Sequence, residues 1–132
     1  KQPRVAGVIR VFRQKARYRY YKASIAVNGL HLLTRTHSDL KVILAFHVAL
    51  VAIRQRTLNG DGDFEARFRE AVDSTLEELG LDAKDMGLRF IVSIKALWVA
   101  TPLRTPAYCA ASEMELGLQA WRRLYGARGR VD

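Results

Sequence analysis

The sequence predicts an all-α protein, a single-domain bundle of about five helices around a buried central helix at residues 40–58. Three observations favour this class. Residues 40–53 are apolar except at Lys41 and His47, so as a helix they have no polar side to turn toward water. Residues 5–27, 64–79 and 114–125 each repeat apolar side chains at steps of three and four. Turn-forming residues separate these runs.

The first predicted helix runs from about Arg4 to Val27. Its apolar stripe has seven members: Val5, Ile9, Phe12, Ala16, Tyr20, Ala23 and Val27. A short β-hairpin near residues 17–34 is the alternative, because residues 18–23 alternate in character and Asn28-Gly29 is a favoured two-residue hairpin turn. The helix is preferred, since its stripe covers the whole segment and the alternation covers only part of it.

The central helix is predicted to begin at Thr36 or Ser38, since either hydroxyl can cap it, and to end near Leu58. The next helix should begin after Asp63 and end at Gly80. Its apolar face consists of Phe64, Phe68, Ala71, Val72, Leu76 and Leu79.

Residues 88–100 are predicted to form a helix that follows Asp82, a candidate N-cap. Valine, isoleucine and phenylalanine would also suit a strand here, but 13 residues exceed the usual strand length. Two prolines predict a loop at 101–111. Ser112 and Glu115 resemble a capping box before a last helix, which should end at Gly126 and whose apolar face consists of Met114, Leu118, Trp121 and Tyr125.

Charge is distributed unevenly along the chain. The formal net charge is +9, from 22 basic and 13 acidic side chains. Residues 1–38 hold nine Lys or Arg and no Asp or Glu, whereas residues 61–85 hold nine acidic side chains and three basic ones. A short basic tail follows at 127–132. Blocks of one sign are typical of interaction surfaces, so the basic segment 1–38 is the candidate functional region.

A basic segment with tyrosines between its charges is typical of nucleic-acid binding. We expect a non-catalytic protein that contacts the phosphates of RNA or single-stranded DNA with little sequence specificity. The predicted phosphate contacts are Arg10, Arg13, Lys15, Arg17, Arg19 and Lys22. Tyr18 and Tyr21 are the candidates for stacking on unpaired bases, and Arg122 and Arg123 are auxiliary contacts.

The alternative is a protein-interaction adaptor or regulator whose basic helix docks on an acidic partner, or on the acidic segment 61–85 of the same or another copy. Opposite charge blocks also predict head-to-tail packing of copies. A membrane-surface helix fits less well, because Ala16 and Ala23 make the apolar stripe shallow.

In size, predicted helix content and basic character, the chain is similar to the small helical subunits that line the nucleic acid in RNA-guided effector complexes of the CRISPR class. The resemblance implies an accessory subunit of a ribonucleoprotein assembly, and no sequence motif carries it.

No cofactor, metal ion or catalytic group is predicted. Asn59, Asp61, Asp63 and Glu70 match four positions of a calcium loop, but Phe64 stands where that loop needs glycine. A single cysteine, Cys109, predicts a reducing, cytoplasmic location. Residues 40–53 would span about 21 Å as a helix, short of the roughly 30 Å of a bilayer core, so no membrane span is predicted.

Overall fold

The computed structural model describes residues 8–12 and 19–129, with side chains described for residues 20–129. The predicted all-α bundle is wrong, because an antiparallel sheet accompanies the helices. The elements in chain order are β1 Val8–Phe12, β2 Arg19–Val27, β3 Leu30–Leu33, α1 Leu40–Asn59, α2 Phe64–Leu79, α3 Ala83–Met86, β4 Arg89–Ile94, β5 Leu103–Arg104, β6 Tyr108–Cys109 and α4 Met114–Ala127. The described strands are ordered β1-β2-β3-β4-β5, and β6 also pairs with β4.

The N-terminal segment is extended where it is described. β1 pairs with β2, and β2 pairs with β3 across Asn28-Gly29, so the structure has the hairpin that was the sequence's alternative to a helix. Asn28 and Gly29 have φ angles of 45° and 87°, the two positive values that a tight hairpin turn requires. A Cβ atom on Gly29 would also lie 2.2 Å from Cδ1 of Ile94, so the turn packs closely against β4.

The prediction of a helix at 88–100 is also wrong. β4 buries Phe90, Val92 and Ile94 and leaves the residues between them partly exposed, which is the period of a strand with one covered face. Its pairing with β3 places Val92 opposite Leu30. The helix was predicted because 13 residues are too long for a usual strand. That argument failed because the strand ends at Ile94 and the following residues form a connection. Part of the predicted loop at 101–111 forms the short strands β5 and β6.

α1 confirms the predicted central helix but not its burial on all sides. Ile43, Phe46, Leu50 and Ile53 are buried, whereas Val48 on the opposite side is 58% exposed. The N-cap is Asp39, whose carboxylate accepts a hydrogen bond from the backbone N–H of Lys41, rather than Thr36 or Ser38. α1 therefore covers the sheet with one face only.

α2 and α4 lie close to their predicted positions. Asp63 caps α2, and Gly80 closes it in the left-handed conformation with φ 66°, so both predicted boundaries are confirmed. α4 begins at Met114 without a side-chain cap, so the predicted capping box at Ser112 is wrong. Gly126 does not end α4, which continues to Ala127.

The core lies between the sheet and the helices. α1 packs mainly on β2 and on α2, and α4 packs on β4 and β6. Phe68 of α2 meets Phe90 of β4 edge to face, with 5.8 Å between ring centroids. The buried side chains of β2, β3 and β4 point toward these helices, so the helices cover one face of the sheet. None of the helices described is both long and apolar enough to cross a membrane.

Candidate nucleic-acid interface

The described strands carry basic side chains and no acidic ones. Their charged residues are Arg10, Arg19, Lys22, Arg89 and Arg104. The acidic residues between 39 and 115 lie in the helices and in the segments that connect elements. The charged residues of the described strands are therefore all basic, whereas the helical layer carries both signs. The strands are separated in sequence, so this difference becomes visible only in the folded sheet.

Alternation along the strands brings a second set of side chains to the face away from the helices. On β2 these are Lys22, Ser24 and Ala26, on β3 they are His31 and Leu33, and on β4 they are Arg89, Ile91 and Ser93. The register aligns them in rows: Ser24, Leu33 and Arg89 lie side by side, and Ala26, His31 and Ile91 form the next row. We call this surface, with Arg104 opposite Ser93 on β5, the open face.

The cations of the open face lie on a diagonal across the sheet. Lys22 is one row before Arg89, and Arg104 is two rows beyond it. From strand spacing and rise, Lys22 and Arg89 are about 12 Å apart, and Arg89 and Arg104 about 14 Å apart, at their backbones. His31 is exposed between these positions and adds an imidazole ring to the same surface.

The ion pairs among residues 20–129 join helices to each other. Arg56 of α1 binds Glu78 of α2, while Arg69 of α2 binds Glu115 of α4. Arg122 of α4 binds Glu65 of α2. Lys22, Arg89 and Arg104 belong to none of these pairs, so the open face keeps its positive charge.

The predicted site residues do not lie together in one part of the structure. Arg13, Lys15, Arg17 and Tyr18 lie outside the described residues. Arg10 lies in β1 and Arg19 in β2, and only their backbone is described. Lys22 lies half-buried on the open face.

Tyr21 is in the core rather than at the surface. It is 5% exposed and belongs to the cluster beneath the helices, so it cannot stack on a base without leaving that cluster. Tyr20 is the residue on the opposite side of β2, and it is half-buried. The prediction that Tyr21 lies at the surface was wrong because it followed a helical period, whereas in a strand neighbouring residues point to opposite faces.

The two predicted arginines of α4 lie on the helical side of the sheet. Arg122 donates from Nε and Nη2 to the carboxylate of Glu65 at 2.8 and 2.6 Å. These hydrogen bonds and the charge of Glu65 raise the pKa of the Arg122 guanidinium above its ordinary value. Arg123 is exposed. Neither arginine is therefore part of the open face.

Sequence reasoning missed Arg89, Arg104 and His31. The polar residues Arg89 and Ser93 alternate with the apolar residues on either side of them, and this was a usable signal for a strand with one buried face. It was hidden by the helix assigned to 88–100. Nothing local to Arg104 or His31 indicated that they share a surface, because their strands are brought together only through β4.

A groove on the helical side is a second candidate site. It lies between the end of α1 and α2, has a volume of about 540 Å³ and is open to solvent. Arg56 and Arg67 line it together with Asp61 and Glu70, so its charges balance. Among the described residues, no three histidine, cysteine or acidic side chains are close enough to hold a metal ion.

Comparison of the sequence with protein-family models and with curated proteins, and of the structure with solved structures, finds no match. The resemblance to helical subunits of RNA-guided complexes loses its structural basis, because it relied on helix content and the protein has a mixed α/β fold.

Proposed function

We propose that this protein binds RNA or single-stranded DNA along the open face of its sheet, without catalysing a reaction. Binding is mainly to phosphates and has little sequence specificity. A cytoplasmic location, which rests on the single cysteine, remains part of the proposal.

One observation carries the proposal: the basic side chains that the structure describes in the sheet, those of Lys22, Arg89 and Arg104, are left out of the ion pairs that the helices form. A cation without an intramolecular carboxylate can neutralise a phosphate and release a counterion without first breaking a salt bridge. Lys22, Arg89 and Arg104 meet this condition among the described side chains. Arg122 does not, because binding a phosphate would displace Glu65.

The spacing of these cations favours a polymer over a small anion. At about 12 to 14 Å apart, the three positions are too far separated for one phosphate or carboxylate to contact them all. A nucleic-acid strand that follows the diagonal can contact each in turn. An unpaired base can also stack on an exposed imidazole such as that of His31.

The connection between β1 and β2 remains a predicted part of the interface. Residues 13–18 join the end of β1 to the start of β2, and their sequence includes Arg13, Lys15, Arg17 and Tyr18. Lys22 lies near the start of β2. A nucleic-acid strand bound along the diagonal reaches Lys22 at one end. That end is therefore close to the start of β2, where the basic connection ends.

The test is a salt titration of binding to fluorescent oligonucleotides. We expect affinity for oligo-U and oligo-dT to fall steeply between about 50 and 200 mM salt. The double variant Lys22→Gln/Arg89→Gln should bind roughly tenfold more weakly at the lower salt, with a slope shallower by about 1.4, because two phosphate contacts are lost at about 0.7 each.

The matched control is Arg54→Gln/Lys84→Gln, which removes the same charge from exposed positions in α1 and α3. It should bind nearly as the unmodified protein does. Equal losses in both double variants would show that only net charge matters, and would overturn the assignment of the open face. Tighter binding to polyglutamate than to the oligonucleotides would support the adaptor alternative instead.

A further inference from the structure

The exposed side of α1 has the spacing of a coiled-coil seam. Residues at alternating steps of three and four follow this side for its whole length: Lys41, Leu44, Val48, Val51, Gln55 and Leu58. Val48 is 58% exposed and Leu58 is 53% exposed, while Leu44 and Val51 are half-buried. In a heptad these six residues occupy consecutive a and d positions, beginning with Lys41 at a.

The seam is separate from the face that α1 uses within its own fold. Ile43, Phe46, Leu50 and Ile53 pack into the core and occupy the other heptad positions. Beside the seam, Ala45 and Ala52 are small, so a second helix can approach the α1 backbone closely. α1 is thus apolar on two sides, and only one of them is used by the core.

We propose that this seam is the contact between two copies of the chain, which pair through α1 in antiparallel orientation about a two-fold axis. A heptad seam is self-complementary, and a two-fold contact uses the same patch on both copies. Antiparallel pairing brings Val48 of each copy next to Val51 of the other at the centre, and Leu44 next to Gln55 on either side.

Charge decides the orientation. In parallel pairing, Lys41 of one copy would face Lys41 of the other at an a position, with repulsion between the two ammonium groups. In antiparallel pairing Lys41 lies beside Leu58 of the other copy, at the C-terminal end of its α1. The unpaired carbonyls of a helix C-terminus attract a cation, and Arg56 in the last turn of α1 is already paired with Glu78. Asp61 follows two residues after the end of α1.

The size of the contact indicates a weak dimer. α1 has 20 residues and is therefore about 30 Å long and about 10 Å wide, so its outer side offers roughly 300 Å² per copy. Specific interfaces usually bury about 800 Å² per partner. This contact is well below that size, so we expect a weak dimer that forms only at high protein concentration. Both open faces point outward in this dimer, because α1 packs on the sheet with its other side.

Sedimentation velocity over about 1 to 300 µM tests the proposal. The unmodified protein should shift from monomer to dimer across this range. Val48→Glu places two carboxylates at the centre of the seam and should weaken association at least tenfold, while its own exposed position leaves the fold intact. The control is the variant Leu116→Glu, which changes a leucine of α4 that is 56% exposed. This variant should dimerise as the unmodified protein does. A protein that stays monomeric throughout, or equal behaviour of the two variants, overturns the proposal.

Disulfide trapping tests the orientation, in a Cys109→Ser background. Mixing Lys41→Cys with Leu58→Cys should give a cross-linked dimer, because antiparallel pairing puts these positions together. Leu58→Cys alone should not cross-link, because the two copies of that position would lie about 25 Å apart along the helices. Efficient cross-linking of Leu58→Cys with itself would instead show parallel pairing and would contradict the proposed arrangement.

Discussion

At the scale of single residues, the two glycines of α4 show how position decides the role of one residue type. A Cβ atom at Gly117 would lie 2.2 Å from Cζ of Phe90, whereas a Cβ atom at Gly126 would meet nothing within 4 Å. Gly117 therefore permits α4 to lie directly on the ring of Phe90, and its unfavourable helix propensity is offset by that packing.

Replacing Gly117 with alanine should destabilise the protein by about 1–3 kcal/mol, because the added methyl group forces Phe90 or α4 to move. The free energy of unfolding, measured by urea denaturation, reports the change. Gly126→Ala is the matched control, and its stability should stay the same or rise by up to about 1 kcal/mol through helix propensity. Equal effects of the two substitutions would show that α4 does not pack on β4 as described.

Elements far apart in sequence are connected by one tryptophan. The indole Nε1 of Trp121 in α4 donates to the carbonyl oxygen of Asn28 in the β2–β3 turn at 2.8 Å. Its ring stacks between Phe64 and Tyr125, at centroid distances of 4.5 and 4.7 Å. This one side chain therefore ties α2, α4 and the hairpin turn together, over 93 residues of sequence between donor and acceptor.

Trp121→Phe should cost about 1–2 kcal/mol of stability, because it removes a partly buried hydrogen bond and some of the stacked area. Trp98→Phe is the comparison, since the indole of Trp98 also donates to a backbone carbonyl, that of Ala127, but from a side chain that is 46% exposed. Its loss should stay within about 0.5 kcal/mol. Thermal or urea unfolding of both variants distinguishes them, and a larger loss for Trp98→Phe would contradict the role given to Trp121.

At the scale of the whole molecule, a single core joins the sheet to the helical layer. The buried cluster includes residues of β2, β3, β4, α1, α2 and α4 without a division between the N- and C-terminal halves. Hydrogen bonds also join elements within each layer: the backbone N–H of Ala23 in β2 donates to the buried hydroxyl of Thr34, which follows β3, and Arg56 of α1 donates to Thr75 of α2. We expect the described part of the chain to unfold as one unit.

Urea unfolding followed by two probes tests this expectation, because a single unfolding unit gives coincident transitions. Far-UV circular dichroism reports the helices, and in a Trp98→Phe background tryptophan fluorescence reports the contact of Trp121 with the hairpin turn. Both should give the same midpoint in urea, at a protein concentration low enough to keep the chain monomeric. Separate midpoints would show that the N-terminal hairpin or the α4 region unfolds independently.

Sequence by itself determined the features that depend on neighbours along the chain. The boundaries of α2 followed from Asp63 and Gly80, because a helix satisfies its hydrogen bonds within a few residues and its caps lie next to it. The existence of α1 followed from its long apolar run, and that of α4 from the spacing of its apolar residues. The basic character of the first 38 residues is likewise a property of the sequence alone, since it depends only on which residue types occur there.

Only the tertiary structure decided which segments become strands and which charges share a surface. Residues 30–33 and 89–92 lie far apart in sequence, and each acquires part of its strand hydrogen bonds from the other. The apolar patterns of residues 19–27 and 88–94 are compatible with helix or strand, and pairing between distant segments chose the strand. The same pairing brought Lys22, Arg89 and Arg104 onto one face, because strand register is a property of the folded sheet and not of any local sequence.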